Sequence, residues 1–166
     1  MPNIFIASDH AGFALKNVLI SHVRTLGYDI VDIGAFTSDP EDDYPDFITP
    51  CAKRVADDPD SRGIIIGGSG QGEAMCANRI SGIRAVVFYT SSSFAHVGRT
   101  TSHMENGGNE RGNDDIVRLA REHNDANVLS LGARFISGEE AVEAVRIFLE
   151  TKFSGAERHQ RRLAKF

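Results

Sequence analysis

Gly63-Ile64-Ile65-Ile66 runs straight into Gly67-Gly68-Ser69-Gly70-Gln71-Gly72-Glu73, and Ala74-Met75-Cys76-Ala77 follows. The isoleucines read as a buried strand, the glycines as a sharp turn, and the residues beyond as the opening of a helix. Such a turn leaves backbone N–H groups pointing outward, and the helix it opens adds positive potential, so the segment predicts an anion cradle. Its spacing excludes two common phosphate loops. A P-loop would place Lys and then Ser or Thr after Gly72, where Glu73 and Ala74 stand, and a dinucleotide fingerprint starting at Gly68-x-Gly70 would need its third glycine at Glu73. A carboxylate on the rim of an anion cradle suits proton abstraction from a substrate that forms an oxyanion.

The same alternation extends in both directions. Ile4–Ala7 reads as a first strand. Leu15, Val18, Leu19, Val23 and Leu26 recur at helical spacing, with Gly27 as a C′ stop. Strands are predicted at Asp29–Ile33, Gly63–Ile66, Ala85–Phe88 and Asn127–Leu131. Helices are predicted near Asp46–Ala56, Glu73–Asn78, Ile116–Glu122 and Glu139–Leu149. Repeated βα units with near-continuous apolar strands imply an α/β fold with a parallel sheet covered on both faces. Ligands in such folds sit at the carboxyl ends of the strands. Asp9-His10 after strand one, the glycine loop after strand three and the segment around His123 just before strand five are all expected there. The whole of 1–166 reads as one domain, with an extended loop at about 90–115 and a basic tail at about 155–166.

Composition narrows the class. A net charge of -5 argues against a dedicated nucleic-acid binder, and 41% hydrophobic with 25% charged residues is ordinary for a soluble globular chain. Cys51 and Cys76 form no disulfide framework and fit a reducing compartment. The chain shows neither a signal-peptide pattern nor an apolar run long enough to span a bilayer. The reading is cytoplasmic, with no membrane partner.

Several candidate residues carry two readings. Asp9 either caps the helix that follows or, with His10, contacts a ligand at the strand edge. Ser69 either satisfies the turn or touches the ligand. Glu73 is either a partner of the helix dipole, which would lower its pKa, or a base, which benefits from a raised one. His123, in Arg121-Glu122-His123-Asn124-Asp125, is either structural at a helix end or functional. Arg158 and Arg162 share a face if the tail is helical, and suit either a phosphate or open solvent. Cys76 reads as core. Neither His-Glu-x-x-His nor a Cys/His pairing at ligand spacing occurs, so no metal site is expected.

Six segments in order, spanning nearly the whole chain, resemble the ribose-5-phosphate isomerase B family, which also includes the galactose-6-phosphate isomerase subunits. They are Ser8 to Lys16, Asp43-Tyr44-Pro45-Asp46-Phe47, Gly67 to Asn78, Leu119 to Asn127, Leu131-Gly132-Ala133-Arg134, and Arg158-His159-Gln160-Arg161-Arg162. The resemblance implies a Rossmann-like three-layer α/β/α sandwich with a five-stranded parallel sheet. It implies cofactor-free, metal-independent aldose–ketose isomerisation of a sugar phosphate through a cis-enediolate, with ribose 5-phosphate and ribulose 5-phosphate as the leading pair. One branch of the family uses a cysteine base where Gly67 stands. The other carries the glutamate matched by Glu73. By the same resemblance His123 assists ring opening with Asp9, and Ser69 passes protons between substrate oxygens. Backbone N–H groups of Gly70 to Gly72 stabilise the enediolate, and Gly68 and Asn78 also bind substrate. Tyr44 and Asn124 contact sugar hydroxyls, and His10, Arg134, Arg158 and Arg162 hold the phosphate. The family's active sites are shared across a homodimer, with pairing into tetramers left open. The long segment from Thr90 departs from the family pattern, so another tetrose, pentose or hexose phosphate stands as an alternative substrate, and a silent sugar-phosphate binder as an alternative function.

Overall fold

The computed structural model describes residues 2–89 and 114–165. The extended loop expected at about 90–115 falls, up to residue 113, outside the described residues. The elements are β1 (Ile4–Ser8), α1 (Phe13–Thr25), β2 (Ile30–Gly34), α2 (Pro45–Asp57), β3 (Arg62–Gly67) and α3 (Gln71–Ala77). They continue with β4 (Ala85–Phe88), α4 (Asp114–Asn124), β5 (Val128–Gly132), α5 (Gly138–Glu150) and α6 (Glu157–Leu163). The predicted strands and helices are present, with most ends displaced by one or two residues. The helix after the glycine loop opens at Gln71 rather than Glu73, which places Glu73 inside its first turn.

The strands form one parallel sheet in the order β2-β1-β3-β5-β4. Strand residues alternate between two cores, because successive side chains leave opposite faces of a strand. Ile4, Ile6, Ile64, Ile66, Leu129 and Leu131 pack with residues of α1, α4 and α5. Phe5, Ala7, Ile65 and Val128 pack with residues of α2 and with Ala77 of α3. Each fully buried Ile or Leu contributes roughly 1.5–3 kcal/mol relative to exposure. Two-sided burial is why the strands read as unbroken apolar runs rather than as alternating patterns. No helix among the described residues is long and apolar enough to cross a membrane.

From β1 the chain winds outward to β2, then returns to place β3 on the other side of β1. The connections after β1 and β3 therefore leave toward opposite faces of the sheet and open a crevice between them. Asp9-His10 and the glycine loop form its two lips. The segment around His123 does not join them. It ends α4 and precedes β5, so it lies at the amino edge of the sheet. A five-residue strand at about 3.3 Å per residue puts some 16 Å between the two edges. The expectation that His123 sits at the carboxyl edge is corrected on this ground.

Two buried cations tie elements together. Lys16 is fully buried; its Nζ donates to both carboxylate oxygens of Asp32 (2.7 and 2.9 Å) and to the Ala35 carbonyl (2.5 Å). Arg121, 1% exposed, donates to the Thr151 and Ala126 carbonyls and to Asp125. Removing one partner from such a group strands the other. Asp32→Asn, which leaves the fully buried Lys16 charge without its counterion, is expected to destabilise the fold by about 3 kcal/mol, read as a lower urea midpoint, while Lys16→Met, which leaves only the part-exposed Asp32 carboxylate unpaired, should cost less.

Candidate active site

The crevice holds a hollow of about 470 Å³. Glu73 forms part of its wall and is 4% exposed, and its Oε2 is buried without a hydrogen-bond partner. Burial pushes its pKa up; backbone N–H groups of Glu73 and Gly70 pull it down, and the nearby Asp9 charge adds to the rise. Desolvation thus outweighs the pull of the helix end, which is the condition a carboxyl base requires.

Gly67 explains how Glu73 reaches this position. A Cβ at residue 67 would lie 1.7 Å from Glu73 Oε1 and 2.1 Å from its Cδ. The carboxylate therefore fills the volume that a side chain at 67 would need. A cysteine at 67 and a glutamate in this conformation exclude each other. Gly70 makes the turn itself, at φ 74°, where an L side chain would be strained. Its carbonyl accepts from Ser130 Oγ at 2.6 Å. It shapes the loop and does not line the hollow, contrary to expectation.

The two readings of Ser69, and those of Asp9, turn out to be compatible. Ser69 lines the hollow, and its Oγ accepts from the Gln71 N–H at 3.3 Å. Asp9 lines it too, and its Oδ1 accepts from the Gly12 N–H at 3.1 Å. Tyr44, Gly68, Gly72, His10 and Arg134 complete the expected set that the fold brings together. The Arg134 guanidinium lies over Gly68, 3.3 Å from where a Cβ there would project.

Asn78, His123, Asn124, Arg158 and Arg162 do not line this hollow. Asn78, expected to bind substrate, spends its amide on β4, donating to the Ala85 carbonyl (2.9 Å) and accepting from the Ala85 N–H (2.7 Å). It clamps an edge strand. Asn124 shares a separate hollow with it. His123 stacks on His159, with centroids 4.3 Å apart and planes 14° from parallel. His159 Nε2 accepts from Arg158 Nε at 3.1 Å. Burial and the neighbouring His123, Arg158 and Arg162 push the His159 pKa down. Arg158 and Arg162 both lie on α6, four residues apart.

Sequence reasoning missed four residues here. Asp42 Oδ1 lies 2.6 Å from His10 Nδ1 and accepts the His10 backbone N–H at 3.2 Å. The Tyr89 hydroxyl donates to the Ser69 carbonyl and accepts from Gln71 Nε2 at 2.9 Å, so it spans the glycine turn. Its ring meets Phe135 edge-on at 5.7 Å, and Phe135 lines the hollow. His159 lies inside the basic tail motif, with nothing local to mark it as the stacking partner of His123. Only the acidic pair Asp42-Asp43 hinted at the first of these, and its partner is 32 residues away. Asp9, His10 and Asp42 each bring a donor atom within 4.8 Å of the others. The close His10–Asp42 bond spends both facing atoms on each other, which makes the group a hydrogen-bonded pair beside a carboxylate rather than a ligand set.

The fold and this site together define a class. The family described as Ribose/Galactose Isomerase matches residues 4–105 and 112–166, and the chain belongs to that family. Within it, ribose-5-phosphate isomerase B of Mycolicibacterium paratuberculosis is 38% identical over 160 residues, covering 96% of this chain and 86% of its own. The Mycoplasma genitalium ribose-5-phosphate isomerase B, solved with bound ribulose-5-phosphate, superposes with a TM-score of 0.81 at 36% identity, covering 98% of this chain and 92% of its own. The Trypanosoma cruzi type B enzyme gives 0.81 at 32% identity, with 99% and 94% covered.

Two measurements test the placement of Glu73. Gly67→Ala is expected to drive the carboxylate toward solvent and return its NMR titration toward the usual carboxylate range. An unchanged midpoint would show that the carboxylate does not lie over residue 67. Because the folded chain holds the Glu73 proton more tightly than the unfolded chain, this group's stabilising contribution is full below the unfolded-state pKa. It is lost as pH rises through the folded value. The stability of Glu73→Gln relative to the native protein should therefore climb over that window.

Proposed function

We propose that this chain is an aldose–ketose isomerase interconverting ribose 5-phosphate and ribulose 5-phosphate, with Glu73 as the base. The observation that carries the reading is the Glu73 carboxylate itself, buried beside the glycine loop with one oxygen unpartnered and its pKa raised. Family membership and the relative with ribulose-5-phosphate bound support the substrate.

In the open-chain aldose, Glu73 takes the proton from C2 as the C1 carbonyl becomes an enediolate oxygen. It returns the proton to C1 as the C2 oxygen becomes the ketone. Ser69 passes a proton between O1 and O2. The Gly72 N–H, at the first turn of α3, stabilises the developing oxyanion; the Gln71 N–H is already given to Ser69. Tyr44 contacts the sugar, Asp9 serves the anomeric end, and His10 and Arg134 grip the phosphate. Partial burial strengthens each of these contacts.

His123 and the arginines of α6 stand at the other edge of the sheet, too far to complete the site of their own chain. The reading therefore requires a homodimer, in which His123 of the partner subunit opens the sugar ring. The partner subunit's Asn124, the partner's Arg158 and the partner's Arg162 would complete the sugar and phosphate contacts.

A panel of tetrose, pentose and hexose phosphates in chelator-treated buffer tests the substrate, with ribose 5-phosphate expected to turn over fastest. Glu73→Gln is expected to lower kcat by about a thousandfold while substrate binding persists; full turnover would remove Glu73 from the base role. Mixing Glu73→Gln with His123→Ala subunits tests the shared site. Random pairing makes half the dimers mixed, each with one intact site, so about a quarter of native activity should return. Failure of any activity to return on subunit exchange would place both groups in one chain's site.

A further inference from the structure

Asp42 sits where an anion site would be expected to exclude it. The hollow carries the carboxylates of Asp9 and Glu73, and Arg134 is a cation on its wall. Another carboxylate beside it disfavours a phosphate dianion unless it changes the state of something else. That something is His10. Asp42, whose side chain is only 9% exposed, holds His10 at two points through one oxygen, with Nδ1 at 2.6 Å and the backbone N–H at 3.2 Å. Its other oxygen is buried and unpartnered, so the carboxylate's interaction with protein donors is concentrated on His10.

The chemistry of imidazole makes this bond consequential. A carboxylate only accepts, so the Nδ1 facing it must carry the hydrogen. In a neutral ring that hydrogen is the only one, and Nε2 is then a lone pair that repels a phosphate oxygen. In the imidazolium, Nε2 carries a hydrogen and becomes a charge-assisted donor. The neutral tautomer that would donate from Nε2 is excluded while the Asp42 bond holds.

We infer that Asp42 is a positioning residue that makes the anion grip of this site proton-coupled, because it allows His10 to donate to a phosphate only as an imidazolium. The inference rests on the reading of His10 as a phosphate contact. The charged groups that act on His10 are Asp42 from the segment before α2, Asp9 in its own loop and Arg134 after β5. Both carboxylates favour the protonated ring, while Arg134 and desolvation oppose it. The hydrogen bond to Asp42 is the largest influence, and the balance lifts the His10 pKa above its ordinary value. The device holds the grip closed while the ring is protonated and releases it as the ring deprotonates.

The test is an NMR titration of the His10 ring in the full-length protein, with and without inorganic phosphate, in the native chain and in Asp42→Asn. The native midpoint is expected above 6.5 and should rise further with phosphate. In Asp42→Asn it should fall, and at pH values between the two midpoints phosphate affinity should drop by about tenfold, the loss of one charge-assisted bond. The affinity ratio between the two proteins should shrink as pH passes the native midpoint. A purely structural role would lower affinity by a constant factor at every pH, and that result overturns the inference. So does a native midpoint at or below 6.5, which needs no variant, or a midpoint unmoved by Asp42→Asn. Inorganic phosphate as probe separates this outcome from catalysis: a chain that binds phosphate as described but isomerises no sugar phosphate would sink the isomerase reading alone.

Discussion

The Glu73 carboxylate and the missing side chain at residue 67 share one volume, and the site is organised around that exclusion. With any Cβ at 67 the carboxylate would be forced out of its buried position, and its raised pKa would go with it. The rest of the loop serves the same end. Gly70 turns the chain, Ser130 of β5 and Tyr89 just after β4 pin the turn, and the first turn of α3 carries Glu73 back over β3. A raised pKa is thus given to a carboxylate at a helix start, where the dipole alone would have lowered it.

Charge is distributed over the molecule by the same logic of burial and compensation. Lys16 and Arg121 are buried, and each meets a carboxylate and a backbone carbonyl, so their charges act as struts between elements. Glu73 is buried with one oxygen unmatched, and its burial favours the protonated form. His10 lies between these cases, matched by Asp42 on one nitrogen and left with the other for a ligand. Each of these ionisable groups is set to its role by the number of partners it has been given.

The parallel sheet places these groups on two edges. Loops after β1, β3 and β5 build a half-site at the carboxyl edge, while His123 and His159 stack at the amino edge beside the arginines of α6. The separation is a consequence of strand length and helix direction, and no side-chain rearrangement removes it. One chain alone does not bring these two groups of residues to one hollow.

The sequence by itself was sufficient for the βα alternation, the parallel sheet and the Gly67–Glu73 loop. These are local patterns: apolar runs of strand length, helical spacing and glycines at a turn all act over a few residues. It also marked Asp9, Ser69 and Glu73 as candidates, and the fold brings all three to one hollow. It was insufficient for the edge on which His123 lies, since direction through the sheet emerges only when α4 is laid against it. Asn78, inside the loop motif, proved to be a clamp on β4, because the partner for its amide is set by strand order. The sign of the Glu73 pKa shift, the bond between Asp42 and His10, and the pinning of the turn by Tyr89 were decided by tertiary structure alone. Each depends on desolvation or on a partner distant in the chain, and both arise only when separate elements pack together.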